Sequence, residues 1–137
     1  MIIIDTNVYS ALDNGSISAV AILKSQTSIC VPIVVVGELQ FGFMNGNRQE
    51  DNKNRLGKFL AQDKIDVLNL TLETAEIYGR LSTYCKKVGR ALSNNDIWIA
   101  ALALESNAVL ATYDKDFEVF AGMFGDKLVI ISAIDWH

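Results

Sequence analysis

Residues 2–4 are three consecutive isoleucines, and the run stops at Asp5-Thr6-Asn7. A β-branched run with no polar alternation has no face to offer to water. It reads as a strand buried on both sides of a parallel sheet. An acid placed straight after such a strand lands at its C-terminal end, the edge of an open α/β sheet where ligands bind. Two similar runs come late in the chain, Ala108-Val109-Leu110-Ala111 and Leu128-Val129-Ile130-Ile131. Weaker strand candidates are Ser28 to Val31 and Ile65 to Leu68.

Helical patterns fill the gaps. Ser16 caps a helix reaching about Ser25. Pro32 suits the start of another, through Val36, Leu39 and Phe41 to Met44. Arg48 to Ala61 is polar, with Leu56, Phe59 and Leu60 on one side. Thr71 caps a long helix that carries Leu72, Ala75, Tyr78, Leu81, Cys85 and Val88 on one face and ends at Gly89. Asn94 or Asn95 caps the next, Asp96 to Glu105, whose run 97–104 is apolar all round and therefore buried. The segment Asn45 to Asn54 reads as the loosest. Strands alternating with helices predict an α/β domain with a mainly parallel central sheet of about five strands.

The 137 residues, half of them hydrophobic and a fifth charged, suit one domain with one core over residues 1–137. The only histidine is His137, and the two cysteines, Cys30 and Cys85, lie far apart in apolar surroundings. That composition leaves no zinc site of Cys and His, and no imidazole base for a serine or cysteine nucleophile. Hydrolytic chemistry in this chain would have to run on carboxylates, lysines, hydroxyls or a cation held by oxygen. No apolar run is long enough to span a bilayer and the N-terminus lacks a basic region, so a cytoplasmic protein without a membrane anchor is expected.

Four places offer acids at the expected sheet edge. Asp5 ends the first strand. Glu38 lies one turn inside the Pro32 helix among valines. Asp96 opens the most apolar helix, and Asp114 and Asp116 follow the 108–111 strand. Each has a plainer reading: a helix cap for Asp5, a dipole partner for Asp96, a turn for Asp114 and Asp116, an exposed helix edge for Glu38. Together the acids would repel one another unless a cation joined them. A hard divalent ion is the partner such a set calls for, and it would equip the site to hydrolyse a phosphodiester.

Several segments carry a resemblance to a known family. They are Ile2-Ile3-Ile4-Asp5-Thr6-Asn7, Pro32 to Gly42 around Glu38, Asn95-Asp96-Ile97-Trp98-Ile99-Ala100-Ala101, Leu110 to Phe117, and the ending Ile134-Asp135-Trp136. In this order the sequence resembles PIN-domain ribonucleases, most closely the VapC-type toxins of toxin–antitoxin pairs. The resemblance implies a three-layer α/β/α fold and a metal-dependent endoribonuclease. It implies that Asp5, Glu38, Asp96 and Asp114 are the catalytic, metal-binding acids, with Asp116 as a variable contributor to the metal. Thr6, Asn7 and Thr112 would support them. It also implies Mg2+ or Mn2+ as cofactor, an RNA substrate (tRNA or rRNA in many members), a homodimer, and a VapB-like antitoxin that blocks the site.

The net charge of −4 looks unfavourable for RNA, with sixteen acids against twelve bases. Setting aside the five site acids leaves eleven against twelve. Lys86, Lys87 and Arg90 precede Asp96, and Lys115 lies within the last acidic motif. They could guide a phosphate backbone, or simply favour a helix C-terminus. Phe41, Phe43 and Met44 read first as core residues and second as a homodimer surface. Two other functions remain open: a catalytically inactive PIN-like module that binds RNA or protein, and a phosphoacceptor domain. The second is disfavoured, because Thr6 follows Asp5 where a second acid is wanted.

Overall fold

The computed structural model describes residues 1–132. The Ile134-Asp135-Trp136 ending lies outside them. Five strands form one all-parallel sheet: β1 (Ile2–Ile4), β2 (Ile29–Pro32), β3 (Ile65–Leu68), β4 (Val109–Thr112) and β5 (Leu128–Ile130), in the order β3-β2-β1-β4-β5. The expected strands are therefore present, some shifted by a residue. The central strand is the isoleucine run. Ile3 is fully buried, and Ile2 and Ile4 are nearly so.

Helices α1 (Thr6–Asp13) and α2 (Ile17–Lys24) connect β1 to β2. Helices α3 (Ile33–Met44) and α4 (Gln49–Leu60) connect β2 to β3. Helices α5 (Leu72–Val88) and α6 (Asn94–Glu105) carry the chain back across β1 to β4, and a 3-10 turn (Lys115–Phe120) and α7 (Ala121–Phe124) lead to β5. Right-handed crossovers on opposite sides of β1 place these connections on opposite faces, which gives the three-layer arrangement. Successive strands are added outward on one side of β1 as far as β3, then on the other side from β4, so the strand order reverses between β1 and β4. That is the switch point of a doubly wound sheet, where the strand ends open a crevice.

Local sequence accounts for the element ends. Thr71 and Thr74 form a reciprocal capping box at the start of α5, and Gly89 closes that helix in a left-handed conformation with φ 70°. Pro32 is not the first helical residue. It closes β2 beyond the residues that pair with β1, so its missing N–H costs that pairing nothing. The loose stretch expected over Asn45 to Asn54 shrinks to residues 45–48, because α4 already begins at Gln49 with Glu50 and Asp51 favouring its first turn.

Helix α6 lies in the core, with Ile97, Ile99, Ala100, Ala101, Leu102 and Ala103 all buried. Its Trp98 stacks on Tyr78 of α5 at 4.1 Å between ring centroids. The reading of Phe41 and Met44 as core residues is overturned: they are 71% and 57% exposed, and only Phe43 packs on the core. The valines and Leu39 already bury one side of α3, which leaves Phe41 and Met44 on the opposite side.

Candidate active site

Register at the switch point sets the geometry. Ile4 pairs with Ala111, so the next residues, Asp5 and Thr112, stand beside each other where the two strands end. Asp5 is 4% exposed and Thr112 is fully buried. Asp5 accepts from the Val8 backbone N–H through Oδ1 at 3.0 Å and from the Thr112 hydroxyl through Oδ2. It is thus the helix cap of α1 and also lines the acidic pocket, so its capping role does not take it away from the other acids.

The other acids arrive on helix starts and a turn. The Thr6 hydroxyl donates to Glu38 Oε1 at 2.8 Å, tying the start of α1 to α3. Asp96 sits in the first turn of α6, where its backbone N–H donates to Ser93 Oγ at 3.2 Å. The Asp114 backbone N–H donates to Thr112 Oγ1 at 3.0 Å, and Asp114 Oδ1 accepts from the Asp116 N–H at 2.8 Å. A pocket of about 230 Å³ collects Asp5, Thr6, Asn7, Glu38, Asp96 and Asp114, with Ser93 and Ile99 completing its wall.

Asp116 does not line that pocket, although its charge is felt at Asp96. Thr112 acts from behind, through Asp5. Of the proposed RNA contacts, Lys86 and Arg90 line a separate groove, and Lys87 and Lys115 are exposed. Ser93 was missed: the cap of α6 is neither Asn94 nor Asn95. The signal was present, since Ser93-Asn94-Asn95-Asp96 is a Ser-x-x-Asp capping pattern.

Electrostatics follow from crowding and burial. Burial, above all, pushes the Asp5 carboxyl up to about 6. The Thr112 and Val8 hydrogen bonds oppose that rise, and the charges of Asp96 and Asp114 add to it. Asp96 is also raised, first by burial and then by Asp114, Glu38 and Asp116, against the pull of Ser93. No lysine, arginine or histidine lines the pocket to offset these charges.

The donor set fits a hard divalent cation. Carboxylate, amide and hydroxyl oxygens are the ligands that Mg2+ and Mn2+ prefer, and the pocket offers no nitrogen base or thiolate. Among the described residues, no three acid, thiol or imidazole side chains are gathered closely enough to enclose an ion alone. An ion held here would keep water among its ligands, as Mg2+ does.

The acid-lined crevice of a parallel α/β sheet defines a class, and comparison with known proteins agrees with it. A family model described as the PIN domain matches residues 2–123, and the chain belongs to that family. Its resemblance to VapC-type members extends over most of its length. Ribonuclease VapC2 of Rickettsia felis is 30% identical over 98 residues, which cover 71% of this chain and 72% of that protein. Ribonuclease VapC5 of Mycobacterium tuberculosis is 25% identical over 127 residues, 93% of each. Among solved structures, VapBC2 from Rickettsia felis bound to a promoter DNA fragment aligns with a TM-score of 0.81 at 26% identity, covering 96% of this chain and 98% of that one. VapBC-1 from nontypeable Haemophilus influenzae aligns with a TM-score of 0.78 at 27% identity, covering 99% and 98%.

Proposed function

We propose that this chain is the toxin of a toxin–antitoxin pair, an endoribonuclease that hydrolyses RNA phosphodiester bonds with Mg2+ or Mn2+. The observation that carries the reading is the convergence of Asp5, Glu38, Asp96 and Asp114 on one pocket with no cationic side chain. The VapC ribonuclease relatives support the reaction, and the VapBC structures support a VapB-like antitoxin as partner. The chain acts in the cytoplasm as one PIN domain, on structured RNA such as tRNA or rRNA.

Asp5, Glu38, Asp96 and Asp114 would hold the cation, and Asp116 contributes charge nearby. Bound there, such an ion would offset the mutual repulsion of the acids and supply Lewis-acid activation of water and phosphodiester oxygens. Thr112 and the Val8 N–H keep both Asp5 oxygens in place, and Thr6 fixes Glu38. Asn7 offers an amide to the pocket. Asp96 holds its proton more tightly than an ordinary carboxylate in the metal-free chain, so it would have to lose that proton before taking the ion, which sets an acidic limit to the reaction.

A homodimer through α3 fits the exposed Phe41 and Met44, and Phe41 also lines a cavity shared with Glu38 and Thr6. Purified protein incubated with total cellular RNA tests the reading, with cleavage ends mapped by sequencing. Cutting should require Mg2+ or Mn2+, stop with EDTA and vanish in Asp5→Asn and Asp96→Asn. Cleavage at the wild-type rate by Asp96→Asn would overturn the site. Intact Mn2+ binding without any cleavage would favour a non-catalytic module instead.

A further inference from the structure

A second groove, of about 470 Å³, runs between the end of α5 and the start of α6. The first turn of α6 is the wall between it and the acid pocket: Ser93 and Asp96 face the pocket, Asn94 and Ile97 face the groove. Its volume falls in the range of small-ligand sites, about 300–1,000 Å³. No acid lines it, while Lys86 and Arg90 do. Neither cation has an ion-pair partner among the described residues, where the salt bridges are Arg55–Asp13 and Arg80–Glu76.

The groove also offers hydrogen-bonding groups above an apolar floor. Ser82 Oγ is buried at its side without any partner, which an enclosed hydroxyl does not ordinarily tolerate. The Tyr78 hydroxyl donates to Asn94 Oδ1 at 3.0 Å, which leaves the Asn94 NH2 as a donor. Leu92 and Ile97 supply apolar surface. Two cations, polar groups and an apolar floor match the phosphate, sugar and base of one nucleotide.

Resting on the ribonuclease reading, we infer that this groove holds the nucleotide next to the scissile phosphate, with Lys86 and Arg90 on its phosphates and Ser82 and Asn94 on its sugar or base. The acid pocket repels RNA wherever the bound ion does not neutralise it. A cationic groove one helix turn away anchors the strand without placing a base among the acids. Lys87 and Lys115, also named from sequence, do not line the groove and are not part of this subsite.

Binding of a short labelled single-stranded RNA by fluorescence anisotropy tests the inference, over about 50–200 mM salt. All proteins in that titration carry Asp5→Asn, so binding is read without cleavage. Each lost phosphate contact lowers the salt slope by about 0.7, so Lys86→Ala/Arg90→Ala should lose about 1.4 and bind about tenfold more weakly at low salt. Ser82→Ala should weaken binding about fivefold at unchanged slope, because a hydroxyl neutralises no phosphate. Mn2+ binding by Lys86→Ala/Arg90→Ala with its acids intact should match wild type.

An unchanged slope in the double variant overturns the subsite while leaving ribonuclease activity untouched. Unchanged affinity in Ser82→Ala reduces the groove to a phosphate contact and overturns the nucleotide assignment. A loss of binding accompanied by a change in sedimentation would make the groove a face between copies, which also overturns it. Conversely, a wild-type protein that binds through Lys86 and Arg90 but never cuts RNA would defeat the ribonuclease reading alone.

Discussion

The hydroxyl of Thr112 donates to Asp5 Oδ2, joining the residue that ends β4 to the acid that follows β1 across the switch point of the sheet. The bond has two consequences. It fixes the orientation of a nearly buried carboxylate, and it opposes the burial that drives this carboxyl towards its protonated form. Replacing Thr112 by valine keeps the shape and deletes the bond. Groups that orient a metal ligand typically matter 10–100-fold in affinity. Thr112→Val should therefore bind Mn2+ more weakly by about that factor at neutral pH, measured by calorimetry. The deficit should narrow at higher pH, where Asp5 is ionised regardless. Wild-type affinity in the variant would sink the role given to Thr112.

The raised Asp5 carboxyl also makes a stability prediction. Its folded value is about 6 against an ordinary 3.8, so without metal the folded chain holds this proton more tightly than the unfolded chain does. The resulting stabilisation is fully present below about pH 3.8 and is lost as pH rises through about 6, amounting to about 3 kcal/mol. Asp5→Asn removes that dependence. In EDTA, its melting temperature relative to wild type should climb between pH 5 and pH 8. Added Mn2+ should then raise the wild-type melting temperature at pH 8 and leave the variant unmoved. A relative melting temperature that stays flat from pH 5 to 8 would contradict the raised Asp5 carboxyl.

Ser93 caps α6 next to Asp96 and lowers that acid's proton affinity. Ser93→Ala should cost about 1 kcal/mol of stability, as lost helix caps do. It should also move the acidic limb of the cleavage–pH profile upward, because Asp96 then holds its proton to higher pH. A profile that falls uniformly at every pH would point to loss of folded protein alone.

Much of this geometry was legible beforehand, and the exceptions have physical causes. The isoleucine run fixed the central strand because nothing but burial on both faces accommodates it, and the acids sit where strand and helix ends predict. Ser93, Asn94 and Asn95 are all good caps by composition, and only the Ser-x-x-Asp spacing to Asp96 singles out Ser93. Phe41 and Met44 were misjudged because α3 is apolar almost all round, so its pattern does not say which side meets solvent. The turn expected at Asp114 and Asp116 continues as a 3-10 helix to Phe120, a length that a short turn with no period does not announce in a sequence. The groove beside α6 is visible in sequence only as the two bases Lys86 and Arg90, since neighbouring helices are needed to make a concave surface.

The two ends of the α5–α6 pair offer a control that leaves the site alone. Thr71 donates to Glu105 Oε2 at 2.9 Å, and the fully buried Thr74 donates to Glu105 Oε1. One carboxylate thus ties the start of α5 to the end of α6, at the opposite end of α6 from Asp96. Hydrogen bonds to charged groups contribute about 1.5–3 kcal/mol, and partial exposure of Glu105 favours the lower end. Glu105→Ala should lower stability to denaturant by about that amount. Its Mn2+ affinity and its cleavage rate per folded molecule should equal those of wild type. If instead Mn2+ affinity fell tenfold or more at temperatures where the variant is fully folded, the tie would have to transmit along α6 to Asp96, and the helix could no longer be treated as a rigid support fixed by its core contacts.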